Sequence, residues 1–107
     1  MSILAQGNLV TTTAKEVFNN RKTTDIRSIN ICNTSASAIT YRIFHAKSGN
    51  TYSVSNALYY DINLPANTTD LLEFEVGSFE MAQTRETIGI RCNTASALTY
   101  NVQGTVK

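Results

Sequence analysis

The feature that most constrains this 107-residue chain is an internal repeat. Shifted by 59 positions, Ile29, Ile31, Ala36, Ser37, Ala38, Thr40 and Tyr41 fall on Ile88, Ile90, Ala95, Ser96, Ala97, Thr99 and Tyr100. Ile39 on Leu98 and Ile43 on Val102 are conservative matches. No gap interrupts the register, so both strands of each copy keep their inward faces in step, as a side-chain period of two requires. Each copy reads as a strand, a polar turn and a returning strand, which predicts two pseudo-repeated β-hairpins. The triplets Cys32-Asn33-Thr34 and Cys92-Asn93-Thr94 sit one position out of this register. The strand alignment therefore takes precedence, and the triplets read as shifted turn chemistry. Two copies are too few for a solenoid, so the repeat is a motif inside one domain. Period alone leaves open whether the hairpins face each other or lie side by side.

Alternation is clearest in residues 38–44, where Ile39, Tyr41 and Ile43 share one face and Thr40 and Arg42 the other. Leu98, Tyr100 and Val102 repeat it. Residues 2–4 and 8–13 read as an N-terminal strand, and 16–18 as a short one before the polar run Asn19-Asn20-Arg21-Lys22. Residues 57–64, a Pro65–Asp70 turn and residues 71–76 read as strand, turn, strand, because Pro fixes φ while Asn and Asp tolerate turns. Leu72, Phe74 and Val76 are expected on one face, Glu73 and Glu75 on the other. A helical turn is expected around residues 79–84. Seven or eight short strands predict an all-β, single-domain β-sandwich or jelly-roll over residues 1–107, with 1–13 as an N-terminal arm or edge strand.

Composition narrows function by exclusion. Charged residues make up only 16% and the net charge is +1, which provides no field for nucleic acid or an anionic membrane. The basic cluster Arg21-Lys22 with Arg27 reads as a solvated loop. The start lacks the pattern of a secretory signal and no stretch reaches transmembrane length, so a cytosolic origin with reduced Cys32 and Cys92 is expected. Two cysteines and one histidine, scattered, do not complete a zinc site. The sequons at Asn33 and Asn67 read as chance in a chain rich in Asn and Thr.

No catalytic, cofactor or metal residue is assigned. His45 lacks a serine elbow or reactive-cysteine context and reads as an exposed or hydrogen-bonded strand residue. Glu73 and Glu75 resemble a glycosidase carboxylate pair in type, yet read as the solvated face of a strand. Tyr59, Tyr60 and Asp61 suggest a carbohydrate platform, but strand-end aromatics are more often core or interface. Lys47-Ser48-Gly49-Asn50 reads as a turn.

Two stretches, residues 29–44 with Cys32-Asn33-Thr34, and Leu58-Tyr59-Tyr60-Asp61 followed by Leu64-Pro65-Ala66-Asn67-Thr68-Thr69, resemble a group of small tailed-bacteriophage virion proteins. The opening Ile3-Leu4-Ala5-Gln6-Gly7, ahead of a Thr-rich segment, is similar too. The resemblance implies a β-sandwich accessory present in many copies on a larger lattice. The expectation is a capsid cement or decoration protein, a trimer at junctions of the major capsid protein, made in the host cytoplasm and resident in the virion. A tail, neck or baseplate component is the alternative, and a carbohydrate-binding module comes from a different class. Ile3, Leu4, Tyr59 and Tyr60 are the expected interface residues, with the N-terminal arm adding as a strand to a neighbour's sheet.

Overall fold

The computed structural model describes residues 2–82 and 85–107. Among the described residues nine strands form two antiparallel sheets: β1 (Ser2–Leu9), β2 (Lys15–Asn19), β3 (Thr24–Asn33), β4 (Ile39–Lys47), β5 (Ala57–Leu64), β6 (Thr69–Glu73), β7 (Glu80–Met81), β8 (Glu86–Cys92) and β9 (Leu98–Val106). One sheet runs β1-β9-β3-β6, with β7 also paired to β3, and the other runs β2-β8-β4-β5. The inward rows predicted from period two make the core: Ile29, Ile31, Ile39, Tyr41, Ile43, Ile88, Ile90, Leu98, Tyr100 and Val102 are all buried. The protein is an all-β sandwich.

The repeat is real, but its units are not hairpins. β3 and β4 lie in different sheets, as do β8 and β9, so each copy is an arch that crosses the core. The first strand of one copy pairs with the second strand of the other: β3 with β9, and β8 with β4. Alternating inward residues are common to a hairpin and an arch, which is why the sequence pattern does not separate them. A pseudo-twofold follows, relating β3 to β8, β9 to β4, β1 to β5 and β6 to β2. Its register is offset. Ile31 pairs with Tyr100, whereas Tyr41 pairs with Cys92 rather than with Ile90, two residues away. Backbone bonds between the arches carry the same offset: Thr34 N–H donates to Ala97 O, and its counterpart Asn93 N–H donates to Thr40 O. An even shift keeps inward residues inward, so the core tolerates it.

Asn33 is fully buried at the first arch. Its amide nitrogen is 2.8 Å from Ser37 O and 3.1 Å from both Leu64 O and Pro65 O, while its Oδ1 accepts from Ser35 N–H and Ser35 Oγ. One side chain thus ties the β3–β4 arch to the β5–β6 turn. Cys32 faces outward and is half-buried, whereas Cys92 faces the core, as the gapless alignment requires.

Several segments differ from the sequence expectation. The N-terminal strand is continuous over Ser2–Leu9 and forms an edge strand on β9; residues 11–13 lie outside it. β6 ends at Glu73, which leaves Val76 exposed and takes Glu75 out of any strand face shared with Glu73. In place of a helical turn, Glu80–Met81 pairs with Thr24 and Asp25 of β3; residues 83–84 of that expectation lie outside the described residues. The Phe79 carbonyl is already committed to β3, since it accepts from Ile26 N–H. The Lys47–Asn50 turn is present, with Gly49 at φ 89°.

Tyr41 joins the sheets through its hydroxyl, which donates to Asp70 Oδ2 of β6 at 2.8 Å. Burial first, then the hydrogen bond to Asp70 and its charge, push the Tyr41 phenol well above the ordinary tyrosine range. A phenol with a raised folded-state pKa adds stability that is complete below its unfolded value of about 10 and is lost as pH rises toward the folded value. Between pH 10 and 12, wild-type stability should therefore fall more steeply than that of Tyr41→Phe, by about 1.4 kcal/mol per pH unit. Urea denaturation at each pH measures this difference; parallel pH dependences would contradict it.

Candidate functional site

The sandwich opens along one flank, between β5 and the β6–β7 connection. A cleft of about 390 Å³ there is lined by His45, Leu58, Tyr59, Phe74, Ser78, Phe79 and Glu80. Its position follows from strand register. His45 continues the inward row Ile39, Tyr41, Ile43 of β4, and Glu86 begins the inward row Ile88, Ile90, Cys92 of β8. The two meet diagonally across the ladder, and His45 Nε2–H donates to Glu86 Oε1 at 2.6 Å. Phe79 stands edge-on to His45 at 5.1 Å and to Phe74 at 5.2 Å between ring centroids. Tyr59, opposite Ile43, supplies a further aromatic wall.

Ser78, His45 and Glu86 invite a comparison with a nucleophile relay, which needs the hydroxyl bonded to the imidazole. Here the Ser78 hydroxyl donates to Glu75 O at 2.8 Å, so the imidazole does not activate it. Among the described residues no group of three or more His, Cys, Asp or Glu is placed to hold a metal ion. No helix among them is long and apolar enough to cross a membrane.

The four interface residues expected from sequence divide between two environments. Ile3 on β1 is 55% exposed and Tyr60 on β5 is 42% exposed. Leu4 and Tyr59 turn inward and pack against the core. Tyr59 and Tyr60 face opposite ways because successive side chains of a strand alternate, while the placement of Asp61 beside Tyr60 has a further local cause. Residues 60 and 61 together oppose Arg42, forming a bulge in which Asp61 adopts φ 52°. The bulge keeps Asp61 on the outer face with Tyr60. Arg42 lies 4.0 Å above the Tyr60 ring and donates to both Asp61 carboxylate oxygens, at 2.6 and 3.2 Å. Arg42 above all, with Arg91 adding to it, holds the Asp61 carboxyl below the usual range. The expected platform of Tyr59, Tyr60 and Asp61 is therefore split: one ring faces the cleft, the other is covered by Arg42, and the acid is already paired.

Beside this pair, the 48–56 loop folds over the outer face of β4 and β8. Tyr52 stacks on Phe44 with ring centroids 5.3 Å apart and donates to Thr87 Oγ1 at 2.8 Å. Gly89 makes room for that ring, because a Cβ there would collide with it. Of the sequons, Asn33 is fully buried, which is incompatible with a glycan on the folded chain. Asn67 is exposed in the β5–β6 turn at φ 54°.

Sequence reasoning missed the cleft. A signal was present, since His45 and Glu86 are polar residues at the ends of inward-facing rows. Phe74, Ser78 and Phe79 carried no comparable signal, because the path of residues 74–79 depends on pairing with β3. The chain matches no protein family, no curated protein and no solved structure.

Proposed function

We propose that this chain is a structural virion protein, a capsid cement or decoration protein that binds the assembled bacteriophage shell and stabilises it. The observation that supports this reading is where its exposed large apolar side chains lie. Ile3 and Val10 are on or next to edge strand β1, and Val106 is at the end of the adjoining β9, beyond the partner of Ser2. Leu58 and Tyr60 are on edge strand β5, with Val54 just before it; Leu71 is on edge strand β6, with Val76 just beyond. Soluble proteins usually guard sheet edges with Lys, Pro or short strands, yet β1 presents eight residues, Ser2–Leu9, without a charge or a proline. The other edges carry charge: Lys15 and Glu16 on β2, Asp61 on β5, and Asp70 and Glu73 on β6. An uncharged edge such as β1, with exposed apolar side chains on the other edges, suits a protein held between neighbours, through strand addition or side-chain contact.

The partner in this reading is the major capsid protein, and the chain acts as a homo-oligomer, a trimer at shell junctions. Its mechanism is mass action: a ligand that binds only the assembled shell stabilises it by about 2.7 kcal/mol per site at a free concentration 100 times Kd. Particles reloaded with the purified protein are expected to melt at a higher temperature than stripped ones. An unchanged melting temperature with full occupancy would count against the cement role. The same edges also serve a tail, neck or baseplate component, which differs in being confined to one vertex of the particle.

A further inference from the structure

We infer that the cleft between β5 and the β6–β7 connection is an anchor pocket for one neutral aromatic side chain of a protein partner. This inference rests on the assembly reading above and specifies where the partner engages. Three observations carry it.

The first is size and lining. At about 390 Å³, the cleft is near the small end of pockets that hold organic ligands, with room for a ring and part of the chain that carries it. Tyr59, Phe74 and Phe79 provide aromatic walls and Leu58 an aliphatic one. A ring inserted among them gains edge-to-face contacts like those Phe79 already makes with Phe74 and His45.

The second is charge. The wall contains carboxylate and imidazole groups, but they already satisfy one another or a neighbour. Glu86 accepts from His45, and Glu80 is ion-paired with Lys107. A charged guest would compete with these partners, whereas a neutral ring would not. Ser78 Oγ, which donates to Glu75 O, can still accept from a phenolic hydroxyl.

The third is position. Leu58 lines the cleft, and Val54, Leu71 and Val76 are exposed on β6 or in the segments adjoining β5 and β6, the flank on which the cleft opens. A concave aromatic pocket on a flank that also exposes apolar side chains has the form of an interface hot spot, where a buried anchor is surrounded by contacts that exclude water. A free metabolite would not need those exposed apolar side chains.

The test uses the full chain with p-cresol as the ring probe, and methylguanidinium and acetate as charged controls. Two-dimensional NMR is expected to show saturable p-cresol shifts at Leu58, Tyr59, Phe74 and Phe79, with no saturable response to either ion. Ser78→Phe, at an exposed turn position, should fill the mouth and abolish the p-cresol response. It should also weaken particle binding at least about tenfold. If that variant does not fold, Leu58→Ser on the exposed edge takes its place. Absence of saturable p-cresol shifts overturns the pocket, as does an equal response to methylguanidinium. Saturable p-cresol binding with undiminished particle binding by the variant overturns its role as the anchor. If the wild-type chain does not bind particles at all, the assembly reading fails separately, and the p-cresol result alone decides the pocket.

Discussion

Asn33→Ala is expected to destabilise the protein by on the order of 4 kcal/mol, a large part of the total for a domain of this size. The estimate comes from what the substitution leaves behind. Ser37 O, Leu64 O and Pro65 O lose their shared donor, and the Ser35 N–H and hydroxyl lose an acceptor. Each buried polar group left unpaired costs about 1–3 kcal/mol, reduced where water or local adjustment restores a bond. Asn93 is the control, because it occupies the same place in the second Cys-Asn-Thr triplet yet is exposed. Its main structural bond accepts from Thr40 N–H at 3.0 Å. Asn93→Ala should cost about 1 kcal/mol or less. Urea denaturation of both variants measures the contrast, and equal losses would refute the role given to Asn33.

Gly104→Ala is the second large effect. A Cβ at Gly104 would meet the backbone carbonyl of Asp25 across the β3–β9 ladder, with a Leu4 methyl also close. The obstacle is main chain, already irregular between Ile26 and Ser28, so relief requires moving β9 off β3. About 3 kcal/mol is expected, at the upper end for overpacking. Gly89→Ala meets only the Tyr52 ring, on a loop that can swing outward, and should cost about 1–2 kcal/mol. Denaturation midpoints rank the two. A larger loss for Gly89→Ala would show that β3–β9 packing is less rigid than proposed.

These two positions mark what was legible in the sequence. Period-two rows identified the inward residues, and the 59-residue repeat identified the doubled motif, because both depend only on local alternation. The repeat also assigned Tyr41 and Tyr100 correctly to the core, with 1% and 5% exposure. Whether a turn returns a strand to its own sheet or carries it across depends on the partner strand, which lies far away in sequence. The arches were therefore read as hairpins. The bulge at Tyr60 and Asp61 shows the same limit. An extra residue opposite Arg42 reverses the facing of everything beyond it, so Asp61 shares the outer face with Tyr60, which plain alternation from Tyr59 would not give. Residues 74–79 lack alternation, and Phe79 acquires its place from Ile26, a contact no local pattern encodes.

The candidate site was legible only in fragments. Tyr59 was singled out for interface and His45 as a hydrogen-bonded strand residue, and the cleft contains both. What joins them to Phe74 and Phe79 is the separation of the two sheets along one flank. The pseudo-twofold gives that flank its counterpart at β1 and β2, where Leu4, Val17 and Phe18 pack against the core. The two flanks therefore share a topology but differ in surface: one has the long uncharged β1 edge, the other the aromatic cleft.

Cryo-electron microscopy of the parent particle tests the central proposal most directly. The account predicts this sandwich repeated over the whole shell at junctions of the major capsid protein, with the β5–β6 flank against the lattice and an aromatic side chain in its cleft. Density confined to the tail or a single vertex, or a shell without the sandwich, would contradict it.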